Sequence, residues 1–244
     1  ITRNKLRIFS KPLTNRASAS KRPSALRLMG AQVVTIGIST GGPFSLQKVV
    51  PSLPENFPLP VAIVQHMPPH FTRSLAERLD SISRLEVCEA EDGMELSRGK
   101  VYIAPGGLHM KFRRSEAAVK LSITKEPADT LHRPSVDVMF SSAFDVFGGR
   151  VLAAVMTGMG HDGLAGAKLI KEAGGKVIAQ DEESCVVYGM PKSIVDAELA
   201  DAVVPLDEIA SAIITAVSPA GFSIETLPSP SCNRAVNDPK RYVQ

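Results

Sequence analysis

Three short segments of the sequence hold residues that can carry out hydrolysis. Ser39 lies in Gly37-Ile38-Ser39-Thr40-Gly41-Gly42, which fits the G-x-S-x-G pattern of a nucleophilic serine. The glycines on either side let the backbone turn sharply and leave the hydroxyl exposed near free N–H groups of a helix start. This segment therefore offers a nucleophile together with donors for an oxyanion. The motif alone equally fits a serine N-cap or an anion-binding loop.

A histidine and a carboxylate follow two other apolar runs. His66 comes directly after Val64-Gln65 and can act as a general base toward Ser39, although a single histidine at a strand end is more often a loop hydrogen-bonder. Asp162 lies in a glycine-rich turn, where it can orient His66 or, alternatively, cap its own helix. The three signals reinforce one another, because a single architecture would bring these segments together.

Two better-known site types fit the sequence less well. A dinucleotide-binding G-x-G-x-x-G turn has a glycine where this chain has Ser39, whose side chain would obstruct a pyrophosphate. The chain order serine, histidine, aspartate also differs from the serine, aspartate, histidine order of α/β hydrolases. The order argues against an ordinary lipase, although triads recur in several orders on unrelated folds.

The elements that must position these residues follow an alternating pattern. Short β-branched runs alternate with helix-like stretches, which predicts a doubly wound, mostly parallel α/β sheet with helices on both faces. Such sheets bind ligands beyond the carboxyl ends of their strands, which is where all three residues fall. Residues 100–123, with Gly106-Gly107 between short strands, predict a local antiparallel hairpin. The main strands are predicted at 33–38, 61–64, 151–156 and 176–179, and the helices at 43–50, 70–80, 134–147, 163–173 and 206–216.

Composition limits the classes of function. The 28 basic and 25 acidic residues leave a net charge of +3, too small to indicate nucleic acid binding. The three cysteines are far apart and form no metal-binding pattern, so we expect no metal or organic cofactor and a reduced, cytoplasmic protein. The sequence has no apolar run of 18 residues, and we therefore expect no membrane insertion.

Charge and periodicity divide the chain into three predicted parts. Residues 1–30 are expected to be a basic, flexible linker remnant, because the first 28 residues hold eight basic and no acidic side chains. Residues 31–217 are expected to form the catalytic domain. Residues 218–244, rich in serine and proline, are expected to be a loose C-terminal tail.

Over residues 33–216 the chain resembles the catalytic domain of the bacterial chemotaxis methylesterase family usually called CheB. Six segments in the same order make the resemblance specific. They are Ile36-Gly37-Ile38-Ser39-Thr40-Gly41-Gly42, Gln65-His66-Met67-Pro68-Pro69, Tyr102-Ile103-Ala104-Pro105-Gly106, His132-Arg133-Pro134-Ser135-Val136-Asp137, Thr157-Gly158-Met159-Gly160 with Asp162-Gly163, and Ser184-Cys185-Val186-Val187-Tyr188-Gly189-Met190-Pro191.

The resemblance implies roles for individual residues. Ser39 would be the nucleophile, His66 the base and then the acid, and Asp162 the carboxylate that orients His66. Backbone N–H groups around Thr40, Gly41 and Met159 would bind the oxyanion. Arg133 would face an acidic receptor surface, although Arg133-Pro134-Ser135 equally suits a plain helix start.

The resemblance also implies a reaction and partners. The substrate would be a glutamate γ-methyl ester on the cytoplasmic helices of a methyl-accepting chemoreceptor, cleaved to glutamate and methanol, with glutamine deamidation as a related activity. Family members carry an N-terminal receiver domain, for which residues 1–30 are too short.

Three other functions fit the sequence less closely. They are a serine hydrolase of a small ester, a non-catalytic module that binds a nucleotide or anion in the Gly37–Gly42 turn, and a scaffold that binds acidic partners through its basic N-terminal segment.

Overall fold

The computed structural model describes residues 26–116 and 118–218. Within these residues, nine strands form a seven-stranded parallel sheet and a separate hairpin, and six helices surround them. The strands are β1 Val33–Ile38, β2 Val61–Gln65, β3 Glu86–Glu89, β4 Lys100–Ile103, β5 His109–Arg114, β6 Val119–Thr124, β7 Val151–Val155, β8 Lys176–Gln180 and β9 Ala202–Val204. The helices are α1 Gly42–Val49, α2 Phe71–Ile82, α3 Val136–Phe147, α4 Leu164–Glu172, α5 Met190–Asp196 and α6 Ile209–Val217. Short 3-10 turns at Val50–Ser52 and Leu206–Glu208 precede β2 and α6.

The sheet has the order β3-β4-β2-β1-β7-β8-β9, and each neighbouring pair is parallel. Residues of β1, β2 and β7 are buried along their whole length, which explains why their sequences are continuous apolar runs rather than alternating ones. One apolar core lies under α1, α2 and α6, and a second lies under α3, α4, α5 and the β5–β6 hairpin. The predicted doubly wound fold with helices on both faces is confirmed.

The strand order reverses beside β1. The chain runs from β1 outward through β2 to β4 and β3, then returns to β7 on the other side of β1. Loops diverge from such a reversal point and leave a crevice at the carboxyl ends of the strands. Ser39, His66 and Asp162 follow β1, β2 and β7 and therefore lie around this crevice.

The predicted antiparallel hairpin is present, but its bounds differ from those predicted. Lys100–Ile103 is not part of a hairpin but pairs in parallel with both β2 and β3 in the main sheet. The hairpin consists of β5 and β6, which pair from His109 with Thr124 to Arg114 with Val119. Gly106 instead allows a close backbone approach, since a Cβ there would lie 2.5 Å from the carbonyl oxygen of Pro68.

Most of the predicted linker and tail, together with Cys232, lies outside the described residues. Within them, Leu26 and Leu28 are buried in the first core, and the N–H of Leu28 donates to the carbonyl of Ala216 at 2.8 Å. The packed part of the chain therefore begins before the predicted boundary at residue 31. In the two described stretches, no helix is both long and apolar enough to cross a membrane.

Candidate active site

The turn after β1 holds Ser39 beside the end of β7. The N–H of Ser39 donates to the carbonyl of Thr157 at 2.9 Å, and the Ser39 carbonyl accepts from Nε2 of Gln65 at 2.9 Å. Gly41 has a φ of 84°, and a Cβ there would lie 2.6 Å from the Val186 side chain. Glycine at position 41 therefore satisfies both the left-handed backbone and the close packing that this turn requires.

Gln65 connects the Ser39 turn to His66. Its buried side chain donates from Nε2 to the carbonyls of Ser39 and His66, at 2.9 and 3.0 Å. The N–H of His66 donates in turn to the carbonyl of Ile38 at 3.1 Å. Because Ile38 is paired with Gln65, Ser39 and His66 occupy adjacent positions on strands that lie about 4.8 Å apart.

His66 and Asp162 are hydrogen-bonded. Nε2 of His66 lies 2.7 Å from Oδ2 of Asp162, and the two side chains are only 9% and 10% exposed. The other ring nitrogen, Nδ1, is buried and has no partner within residues 26–116 and 118–218, so it makes no hydrogen bond to the Ser39 hydroxyl. The His66 ring is stacked on that of His132, with centroids 4.2 Å apart and planes inclined by 22°.

The carboxylate of Asp162 accepts from four donors. Besides His66, they are the N–H of Val136 at 2.7 Å, the N–H of Asp137 at 2.9 Å and the hydroxyl of Ser135 at 2.9 Å. Burial raises the pKa of Asp162, but the hydrogen bonds from His66, Asp137 and Val136 together outweigh it and lower the pKa to about 2. Asp162 is therefore ionised near neutral pH.

Two aspartates link the starts of α3 and α4 through hydrogen bonds. Asp162, just before α4, accepts from the first N–H groups of α3, whereas Asp137, in the first turn of α3, accepts from the N–H of Gly166 in α4 at 2.7 Å. The alternative that Asp162 caps its own helix is wrong, because Gly163 occupies that N-cap position without a side-chain cap. Burial, opposed by the Gly166 N–H and reinforced by the charge of Asp162, raises the pKa of Asp137.

The predicted oxyanion residues lie against Ser39. A Cβ on Gly158 would lie 2.7 Å from Cβ of Ser39, so the loop that carries Met159 directly contacts the nucleophile turn. The carbonyl of Thr40 accepts from Oγ1 of Thr157 at 2.9 Å. In the described part of the chain, the N–H groups of Thr40 and Met159 have no acceptor. These two donors are available to a ligand.

Arg133 holds its own loop. Its Nη2 donates to the carbonyl of Ala128 at 2.8 Å, and its carbonyl accepts from the N–H of Gly107 at 3.1 Å. It makes no hydrogen bond to the His66–Asp162 pair, so the structure does not bring Arg133 into that network as it does Ser135 and Asp137.

The sequence did not indicate roles for His132 or His109. His109 is fully buried, accepts the N–H of Ser135 on Nδ1 at 3.2 Å, and holds the Pro127 carbonyl with Nε2 at 3.1 Å. It thereby anchors the loop that places His132 over His66. Burial lowers the pKa of both histidines, and for His132 the neighbouring His66 lowers it further.

A metal site and a cysteine nucleophile are poorly supported at this edge of the sheet. No group of three or more histidine, cysteine or acidic side chains in the described stretches is arranged to hold a metal ion. Burial raises the pKa of Cys185 to about 11, which leaves its thiol protonated and weakly nucleophilic near neutral pH.

Comparisons with known proteins point to one family. The family model described as CheB methylesterase matches residues 34–213. The chain is 46% identical over 216 residues to a protein-glutamate methylesterase/protein-glutamine glutaminase 1 of Oleidesulfovibrio alaskensis, covering 87% of this chain and 58% of that protein. It is 51% identical over 189 residues to a protein-glutamate methylesterase/protein-glutamine glutaminase of Desulfotalea psychrophila, covering 77% and 52%.

A solved structure is similar along most of the fold. The crystal structure of the Thermotoga maritima CheB methylesterase catalytic domain has a TM-score of 0.73 and 47% identity, covering 75% of this chain and 97% of that one. The chain spans about half the length of the curated relatives it matches.

Proposed function

The chain belongs to the CheB methylesterase family, and from this we propose that it hydrolyses glutamate γ-methyl esters on a protein by means of Ser39, His66 and Asp162. The proposed substrate lies on the cytoplasmic helices of methyl-accepting chemoreceptors, and the products are glutamate and methanol. The same site would deamidate glutamine with ammonia as the leaving group. The observation that carries the proposal is the hydrogen bond of 2.7 Å between His66 and the ionised Asp162 beside the Ser39 turn.

The geometry supports one direction of proton transfer. Ionised Asp162 can only accept a hydrogen bond, so Nε2 of His66 carries the proton and Nδ1 keeps its lone pair. Nδ1 takes the proton of Ser39 as its oxygen attacks the ester carbonyl, and the imidazolium then gives that proton to the departing methoxide. Water, activated in the same way, hydrolyses the glutamyl-serine ester and restores the Ser39 hydroxyl.

The tetrahedral intermediate needs donors for its oxygen. The free N–H groups of Thr40 and Met159 lie in the two loops that meet at Ser39 and are the proposed oxyanion hole. A donor of this kind typically contributes about 100-fold or more to turnover. We also propose that Gly41 keeps the Thr40 N–H in place through its left-handed backbone.

The family resemblance also supports a proposal about the setting in which the chain works. We propose that it acts in the cytoplasm with an N-terminal receiver domain, and that residues 31–217, extended by the packed segment from Leu26, are its catalytic domain. The site requires no metal or organic cofactor in this mechanism.

Methanol release is the test of the proposed function. Methylated receptor is incubated with the unaltered chain, with Ser39→Ala, and with Ser52→Ala as a control at an exposed serine whose hydroxyl bonds only to its own turn. We expect release from the unaltered chain and Ser52→Ala, and a loss of at least about 1000-fold in Ser39→Ala. Equal release from Ser39→Ala would show that Ser39 is not the nucleophile.

A further inference from the structure

Large exposed apolar side chains collect around the carboxyl edge of the sheet. Eight such side chains are exposed in the described part of the chain, and five of them lie in the loops or first helical turns at this edge. We name these five the apolar rim: Phe44 at 60% exposure, Phe71 at 63%, Leu131 at 88%, Met159 at 69% and Val186 at 62%. Single exposed apolar residues need no explanation, but a group on one surface indicates an interaction site.

The order of the strands in the sheet sets the order of the rim side chains along this edge. Phe71, Phe44, Met159 and Val186 follow β2, β1, β7 and β8, which are consecutive neighbours in the sheet. Four adjacent strand ends span about 14 Å at the usual strand spacing. Three turns of an α-helix span about 16 Å, so the row matches a helix of about ten residues.

The rim lies on both sides of the nucleophile. Phe44 and Phe71 stand in the first turns of α1 and α2, which pack on one face of the sheet. Leu131 lies in the loop before α3, which packs on the other face, and it adjoins His132 stacked on His66. Ser39, at the end of β1, therefore has apolar side chains on both flanks.

We propose that the apolar rim is the docking surface for an amphipathic helix of the protein substrate. The inference rests on the proposed function and assigns recognition to particular residues. A glutamyl ester on a helix points to Ser39, and apolar residues three or four positions before and after it, on the same helix face, contact the rim. A small ester occupies only the immediate surroundings of Ser39, so it gains nothing from Phe44 or Phe71. A helix is the occupant we favour because the four strand ends that precede these side chains span about three helical turns and include the end of β1, which Ser39 follows.

Two substrates of different size separate docking from chemistry. Phe44→Ser and Phe71→Ser are compared with the unaltered chain on methylated receptor and on p-nitrophenyl acetate. Met29→Ser is the matched control, because Met29 is 75% exposed but precedes β1 at the opposite edge of the sheet. We expect each rim variant to lower kcat/KM for the receptor by about 10-fold, chiefly through KM, as for a substantial interface residue. Hydrolysis of p-nitrophenyl acetate stays within twofold, and Met29→Ser changes neither reaction.

Several results would overturn the proposal. Rim variants that process the receptor at the unaltered rate, or that lose both reactions equally while their circular dichroism is unchanged, would show that the rim does not dock the substrate. Sedimentation that finds a dimer in the unaltered chain and monomers in the variants, with receptor turnover unchanged, would instead assign the rim to self-association. The variant Ser39→Ala distinguishes failure of the proposed function from failure of this inference. If the proposed function is wrong, Ser39→Ala releases methanol as fast as the unaltered chain, whatever the rim variants do.

Discussion

In the proposed mechanism, Asp162 contributes both to stability and to catalysis. Its two oxygens face four donors, namely Ser135, Val136, Asp137 and His66, and a carboxylate is the only natural side chain of this size that accepts on both ends. Asparagine has one oxygen and an NH₂ group, so at least one pair of these donors would face another donor. A change that conserves shape therefore does not conserve function at this position.

We predict that Asp162→Asn lowers kcat by about 10,000-fold, because the His66 tautomer is no longer fixed. It also changes the acid dependence of folding. The folded pKa of about 2 lies below the unfolded value of 3.8, so the ionised group stabilises the fold above about pH 4, and this contribution is lost as the pH falls toward 2. The contribution is about 2 kcal/mol. Methanol release and urea unfolding between pH 6 and 2.5 measure the two effects.

In the variant, the part of the acid dependence due to this carboxyl should be absent, so its unfolding free energy should fall less steeply below pH 4. An identical slope in both proteins would mean that Asp162 is not the titrating group.

The sequence pointed to the three candidate catalytic residues but not to their surroundings. Ser39 and Asp162 stand beside glycines and His66 precedes Met67-Pro68-Pro69, so local patterns were enough to select them. The stacking of His132 on His66 depends on His109, 23 residues earlier, which fixes the loop from the other side. Such a contact between distant segments leaves no periodic trace in the sequence.

At the scale of elements, the starts of α3 and α4 are linked by hydrogen bonds to the carboxylates of Asp162 and Asp137. Each helix start has unpaired N–H groups, and each receives a carboxylate from the other element. Because Asp162 hydrogen-bonds both to the start of α3 and to His66, a shift of α4 relative to α3 would move the His66 ring. We therefore predict that Asp137 is a positioning residue that acts through Asp162.

We predict that Asp137→Ala leaves the start of α4 without its acceptor, lowers the free energy of unfolding by about 1–3 kcal/mol and lowers kcat about 10-fold at unchanged KM. Asp137→Asn keeps an acceptor oxygen and should restore kcat to within threefold. The raised pKa of Asp137 supports this, since burial and the charge of Asp162 already disfavour its ionised form.

Asp201→Ala is the control for this experiment. Asp201 also anchors a backbone N–H, that of Val177, and pairs with Lys171 and Lys176 near the start of β8. Its loss should destabilise the fold without changing kcat of the folded enzyme. Equal losses of kcat in Asp137→Ala and Asp201→Ala would reduce Asp137 to a purely structural role.

Element boundaries were predictable where the pattern is local. The strands β1, β2 and β8 were placed to within one residue because they are continuous apolar runs between turn residues. The bounds of the hairpin were not predicted correctly, because Gly106 was interpreted as a turn glycine, whereas it allows the close backbone contact with Pro68. The short β9 and α5 passed unnoticed, since three and seven residues give too little periodicity to recognise.

At the scale of the whole molecule, the first strand depends on a segment that composition assigned to a linker. Residues 1–28 are basic throughout, and this charge hid two leucines, Leu26 and Leu28, that are only 4% and 9% exposed. They pack in the core shared by α1, α2 and α6, and Leu28 hydrogen-bonds to Ala216 at the end of the last helix. The segment thus joins the two ends of the fold.

We predict that a chain shortened to residues 26–244 unfolds like the full chain, whereas one shortened to residues 31–244 is less stable by about 3–6 kcal/mol. Burial of a leucine side chain contributes about 1.5–3 kcal/mol, and the shorter chain loses two of them. For a protein of this size the melting temperature should fall by about 6–24 °C, at roughly 2–4 °C for each kcal/mol. Leu28→Ala in the full chain removes one of the two side chains and should give roughly half the loss. Equal urea midpoints for the two shortened chains would return the boundary to residue 31. A difference of this size would place the start of the catalytic domain at Leu26. The packing of its first residues would then be a condition for holding β1, and with it Ser39, in place.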